Sequence, residues 1–299
     1  MLMAIEKRFL SFPIPYNMKF RITYFILFFS FLISQANAQN AQLYNHISND
    51  VVAIHSKVLN QDRQLYIHVP TIDSAERNKP LPVLYLLDGE NHFHVLSAYI
   101  EYLSHWKVIP PLIVVGIISI DRRKDLTPTN SLINFDGIID SGYKTTGGNE
   151  PFFQFIQKEL MPYIAAKYNT SPFKIFAGHS FGGITTINCM LTHPGLFDAY
   201  IAVSPSIWWD NKYMLRLTKQ KLSNLSLADK KIFYSNGDEE GSFHSDVLKF
   251  DTLIQHSPLK GFEHKYVYYP NENHMTEPVP AYYDGLRFIF KDWKDDTAK

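Results

Sequence analysis

The sequence predicts one doubly wound α/β domain around a mostly parallel eight-stranded sheet, with an antiparallel hairpin at its amino-terminal edge and helices on both faces. Three observations carry this prediction. Short apolar runs such as Val83-Leu84-Tyr85-Leu86-Leu87 have the length and composition of strands buried on both faces. Segments of helical spacing alternate with these runs, with no internal repeat and no low-complexity linker. Finally, Gly178-His179-Ser180-Phe181-Gly182-Gly183 lies between a β-prone run, Phe173-Lys174-Ile175-Phe176-Ala177, and a helix-like run from Gly183 to His193. In that setting a G-x-S-x-G pattern places a serine on a sharp strand-to-helix bend, and its glycines leave room where a Cβ would crowd the turn.

Taken in order, Val51 to Leu59 and Arg63 to Val69 alternate as a hairpin turning at Asn60-Gln61-Asp62. The strand at Val83 stops at Asp88-Gly89, a helical stretch runs from about His92 to Trp106, and Leu112 to Ile120 forms the next buried strand. From Asp121 to Glu150 the pattern becomes polar and glycine-containing. A loop of that length at the carboxyl end of a central strand reads as a lid or pocket wall. Phe152, Phe153, Phe155, Ile156, Leu160, Ile164 and Ala165 follow helical spacing, with Asn149 as the expected cap. After the glycine-rich turn come strands at Tyr200 to Val203, Lys231 to Ser235 and Lys265 to Tyr269. Helices at about Lys212 to Leu222, Ser242 or His244 to Gln255 and Ala281 to Trp293 complete the alternation.

The amino terminus is set apart. Lys19 and Arg21 precede an apolar stretch from Ile22 to Ile33, and Ala36-Asn37-Ala38 fits a small-residue cleavage site. Residues 1–38 therefore read as a secretory signal peptide, with an exported domain over 39–299, periplasmic or secreted. The apolar stretch falls short of the roughly 20 residues a spanning helix needs. Residues 1–38 hold four of the 29 basic and one of the 29 acidic residues, so the remainder carries about three net negative charges. That balance offers no footprint for nucleic acid or an anionic membrane. The single cysteine, Cys189, excludes an intrachain disulfide and reads as a buried thiol. His92 and His94 are two apart on a helix and point in different directions, so no metal site is expected. Aromatic residues make up 15% of the chain, which points to an aromatic-lined cleft as well as an aromatic core.

In a sheet of this kind reactive groups gather at the carboxyl ends of the strands. Those ends carry Asp88-Gly89-Glu90, Ser180, Ser204-Pro205-Ser206, Asp238-Glu239-Glu240 and His274. A serine hydroxyl needs a histidine to accept its proton and an acid to orient that histidine. Ser180 is the candidate nucleophile and His274, after the last strand, the candidate base. Glu240 is the first choice for the acid, with Asp238 and Glu239 as alternates, because three consecutive carboxylates cannot all face one histidine. The oxyanion donors are expected from the backbone N–H of Phe181 and of Glu90. Arg122 reads either as a partner for an anionic substrate group or as a salt bridge that ties down the loop. Trp208 and Trp209 read either as a flat wall for an aromatic acyl group or as packing at the start of a helix.

The Ser180 turn, Tyr85 to Glu90, Arg122 to Pro128, Ser204-Pro205-Ser206-Ile207-Trp208-Trp209 and His274 together resemble the putative esterase family, over about Val51 to Trp293. The S-P-S-x-W-W segment leans toward its enterochelin-type siderophore-esterase branch. The resemblance implies an α/β-hydrolase fold, no cofactor, a small-molecule ester substrate and hydrolysis through an acyl-serine. By motif position it also assigns Ser180, His274, Glu240 and Glu90. Acyl transfer by the same residues, or a non-catalytic binding protein on this scaffold, are the other readings it allows.

Overall fold

The structure is a computed structural model that describes residues 49–72 and 78–294, all within one compact unit, Ile47–Lys299. The expected signal peptide lies outside the described residues. Strands β1 (Asn49–Ser56) and β2 (Gln61–His68) form the antiparallel hairpin. The sheet continues through β3 (Leu81–Leu86), β4 (Ile113–Ile117), β5 (Thr170–His179), β6 (Ala199–Val203), β7 (Lys231–Gly237) and β8 (Glu263–Tyr269). Their spatial order is β1-β2-β4-β3-β5-β6-β7-β8. β2 pairs antiparallel with β4, and every pairing from β4 to β8 is parallel. The predicted fold class is observed.

The apolar runs explain the layers. Every residue of β4 and β6 is buried, as expected of central strands covered on both faces. Side chains alternate across the sheet: Leu84 and Leu86 face one core with helix α1 (Gly89–His105), whereas Val83 and Tyr85 face the other. In that second core Phe176 stacks on Phe197 with centroids 4.5 Å apart, each fully buried. Burial of such a side chain is worth about 2–3 kcal/mol.

The segment leaving β4 folds back on itself. It holds the short helix α2 (Arg122–Asp125), capped by the Asp121 side chain accepting from Lys124 N, and a 3₁₀ turn at Ser141–Tyr143. Its base is closed by Gly147 N to Thr127 Oγ1 (2.8 Å), Gly148 N to Lys124 O (2.8 Å) and Asn130 Nδ2 to Thr146 O (3.0 Å). It is therefore a pinned wall. Asn149 does not cap the next helix as expected. It is buried in α3 (Asn149–Phe155), where its amide donates to Asp125 O. A π-helical turn at Ile156–Leu160 joins α3 to α4 (Met161–Lys167). Pro162 lacks an N–H, which removes one i to i−4 bond and widens the helix there.

Helix α5 (Phe181–Thr192) follows the Ser180 turn, and α6 (Trp209–Lys221), α7 (Phe243–Gln255) and α8 (Pro278–Ile289) follow β6, β7 and β8. α1 and α8 cover one face, and α3, α5, α6 and α7 cover the other. α8 begins three residues earlier than the periodicity indicates, because Pro278 occupies the first helical position, where a missing N–H costs nothing.

Candidate active site

The carboxyl ends of β3, β5, β6, β7 and β8 converge, and the turn after β5 shows the strain a nucleophile position requires. Ser180 has φ 61 and ψ −115, a conformation that costs a non-glycine residue about 1–3 kcal/mol. The surroundings enforce it: Ser180 N donates to Val203 O (2.9 Å), and Ser180 O accepts from Ile184 N (3.1 Å) and Ser206 N (3.2 Å). A Cβ on Gly178 would stand 2.5 Å from the Gly182 carbonyl, so the turn can close this tightly only with glycine there.

Ser180 and His274 line one cleft of about 390 Å³ together with Asp88, Asn91, His92, Arg122 and Tyr282. That volume suits a small-molecule ligand. His274 Nδ1 lies 3.1 Å from Glu239 Oε1, and the Glu239 side chain is only 2% exposed. This bond leaves the far nitrogen, Nε2, as the free ring nitrogen of His274. The carboxylate that reaches His274 is therefore Glu239, an alternate in the sequence reading, and not Glu240, its first choice. Glu240 and Asp238 are both exposed, and Asp238 takes a hydrogen bond from the Tyr268 hydroxyl at 3.3 Å. The loop is registered by Asp238 N to Glu272 O (2.6 Å), and only the middle carboxylate of the three turns inward.

Phe181 and Glu90 are the first and second residues of α5 and α1, where N–H groups have no carbonyl one turn back. In α1, Asn91 N and His92 N both reach Asp88 O, and the Glu90 side chain is turned away to accept from Ser119 N (3.2 Å). Asp88 itself is 1% exposed and grips Arg122 with two bonds, Oδ1 to Nε at 2.7 Å and Oδ2 to Nη2 at 2.8 Å. Arg122 Nη2 also reaches His179 O at 3.3 Å. Of the two readings of Arg122, the structure favours the salt bridge: its charge is matched, and it ties the wall to the cleft.

The two tryptophans part company. Trp209 is fully buried, donates Nε1–H to Thr129 Oγ1 (3.1 Å) and stacks on Tyr143, so it is unavailable as a substrate wall. Trp208 is half-buried and packs with Phe135, Phe181 and Phe243. Phe243 in turn lies 5.1 Å from the His274 ring, so an aromatic flank adjoins the histidine.

Three further groups, His179, His92 and Glu277, bear on the electrostatics, and the sequence reading assigns none of them a role in the site. Burial, then the neighbouring His274, His92 and Arg122, hold the His179 imidazole well below the usual histidine range, which keeps it neutral beside His274 at a ring separation of 4.5 Å. Burial also lowers His92, with Asp88 opposing and Arg122 assisting. Glu277, at the start of α8, is fully buried. Desolvation pushes its carboxyl up to about 8, with Ser235 and Ser204 opposing the shift and Glu239 adding to it. Cys189 is buried, and its thiol is raised well above the usual range by that burial. His92 turns to His179 and Tyr282 while His94 turns to Tyr66. Among the described residues no helix is long and apolar enough to cross a membrane.

Residues 56–294 match the family described as putative esterase. The chain belongs to that family. It is 29% identical over 177 residues to the ferri-bacillibactin esterase BesA of Bacillus subtilis (strain 168), covering 55% of this chain and 61% of that one. It is 30% identical over 159 residues to the siderophore triacetylfusarinine C esterase of Aspergillus fumigatus, covering 49% and 51%. The matches thus span about half to three fifths of these curated relatives. Among solved structures it resembles an IroE-like serine hydrolase from Shewanella oneidensis, with a TM-score of 0.79 and 31% identity over 83% of this chain and 82% of that one.

Proposed function

We propose that this protein is an exported serine esterase that hydrolyses siderophore-type carboxylic esters through an acyl-serine intermediate. The observation that carries the reading is the constellation at one cleft: Ser180 on a strained strand-to-helix turn, and His274 lining the same cleft with Nδ1 held by the buried side chain of Glu239. Glu239 fixes the tautomer that presents a lone pair on His274 Nε2, and it stabilises the imidazolium once that nitrogen is protonated. His274 takes the Ser180 proton as Oγ bonds to the ester carbon, and the carbonyl oxygen becomes an oxyanion facing the N–H groups of Phe181 and Glu90. His274 then gives the proton to the departing alcohol. Water repeats the sequence on the acyl-serine, releases the carboxylic acid and restores Ser180.

Two flanks suit such a substrate. The cleft side offers Asn91, Val95, Met275 and Val279, and the aromatic side offers Trp208, Phe135 and Phe243, a surface fitted to a flat acyl group. The substrate class is supported by the relatives named as siderophore esterases, and export by the pattern from Lys19 to Ala38. The test is turnover of siderophore esters alongside short aryl esters, with Ser180→Ala as control. Turnover of aryl esters but of no siderophore ester removes the substrate class and leaves the mechanism. Equal turnover by Ser180→Ala removes the mechanism.

A further inference from the structure

We propose that Ser204-Pro205-Ser206 is a positioning strap whose two hydroxyls hold opposite ends of the catalytic apparatus, Ser206 on the Ser180 Oγ and Ser204 on the Glu239 oxygen that also takes the His274 Nδ1–H. The inference rests on the reading of Ser180, His274 and Glu239 given above, and it assigns work to a segment which that reading leaves idle.

Topology puts the strap where it can reach both ends. β6 lies between β5 and β7 in the sheet, and the ends of those two strands carry Ser180 and Glu239. On one side Ser206 Oγ is 3.2 Å from Ser180 Oγ, while Ser206 N donates to Ser180 O at 3.2 Å. On the other side the Ser204 hydroxyl donates to Glu239 Oε1, and Ser204 N donates to Ser235 O of β7 at 2.9 Å. The backbone is held hard against its neighbours. Ser204 sits at φ 42, and a Cβ on Gly183 would stand 2.8 Å from Val203 O and 2.9 Å from Pro205 Cα, so the first turn of α5 rests directly on the strap. Ser204 is 0% and Ser206 1% exposed, which leaves no bulk water to replace either hydroxyl.

The direction of the Ser206 bond follows from the reaction. Ser180 must pass its proton to His274, so in the productive arrangement Ser206 is the donor, aimed at the oxygen on which negative charge develops. Once Oγ has become an ester oxygen it is a weak acceptor, so the contact matters most in the attack itself. Ser204 acts earlier in the chain of contacts: by occupying Glu239 Oε1 it fixes the carboxylate that orients His274.

The experiment uses the full chain and an aryl phosphonate ester, which reports attack by Ser180 alone, together with steady-state ester hydrolysis. For Ser206→Ala we expect the saturating phosphonylation rate and kcat to fall about tenfold, as for loss of one bond to a developing charge, with KM unchanged. Ser206→Thr retains the hydroxyl and restores the rate. Ser204→Gly suits the positive φ and so keeps the turn, yet lowers kcat by a similar factor. Wild-type labelling on Ser180 with an equal rate in Ser206→Ala overturns the nucleophile half, as does slowing that Thr fails to restore. Unchanged kcat in Ser204→Gly overturns the acid half. Absence of wild-type labelling at Ser180 overturns the underlying site instead, and mass mapping of the adduct separates the two failures.

Discussion

Glu277 gives the most quantitative handle on the electrostatics behind the histidine. Its carboxyl is pushed up to about 8, chiefly by burial, against an unperturbed value of 4.5. Below pH 4.5 both folded and unfolded chains carry the proton. Between 4.5 and 8 the folded protein keeps a proton that the unfolded chain has released, so this group's stabilisation is lost as pH rises toward 8. Each pH unit in that window costs about 1.4 kcal/mol, and two units, from pH 5.5 to 7.5, cost about 2–3 kcal/mol. Glu277→Gln imitates the protonated acid and does not titrate. Relative to wild type it should gain about 2–3 kcal/mol across that interval, while retaining activity at neutral pH. Urea unfolding of both proteins at pH 5.5 and 7.5 measures this, and the contributions of His92 and His179 cancel in the difference. Parallel pH dependences would refute the claim that Glu277 is a protonated acid behind Glu239.

The remaining predictions concern the site and its supports. Glu239→Gln should lower kcat by about 10³–10⁴, because the amide no longer stabilises the imidazolium, whereas Glu240→Gln should leave it within about twofold; matched kinetics of the two variants check the order. Asp88→Ala strands the Arg122 guanidinium, a third exposed, and should cost about 2 kcal/mol in chemical denaturation. It should also slow turnover, since Asp88 precedes the helix that supplies Glu90 N–H. Trp209→Ala empties a fully buried site and should cost about 3–5 kcal/mol, whereas Trp208→Ala should change KM for aromatic acyl esters more than it changes stability.

The fold was legible because a parallel sheet writes itself as apolar runs: β3, β4, β6 and β7 are buried along nearly their whole length. Boundaries slipped where local chemistry outweighed periodicity, at Pro278 and in the π turn before Pro162. That Ser180 and His274 would come to one cleft was legible from position alone, one on a glycine-flanked bend and one after the last strand. Which carboxylate reaches His274 was not, because Asp238, Glu239 and Glu240 are equivalent in sequence, and the choice among them is made by which side chain turns inward beside β8. Trp208 and Trp209 were indistinguishable for the same reason: adjacent residues at a helix start point to different environments. Ser204 and Ser206 carry ordinary side chains, and only the position of β6 between β5 and β7 brings them to Glu239 and Ser180. The signal for Arg122 lay in Asp88, an acid at a strand end facing a basic loop, but nothing in the spacing pairs residues 34 positions apart.

The most direct measurement of the central claim is hydrolysis of a siderophore ester by the protein and by Ser180→Ala, with the wild-type acyl-enzyme trapped and mapped. The account predicts turnover by the wild type, a loss of about 10³-fold or more in the variant, and acyl mass on the peptide containing Ser180. Turnover that survives the substitution, or acyl mass on any other residue, would contradict it.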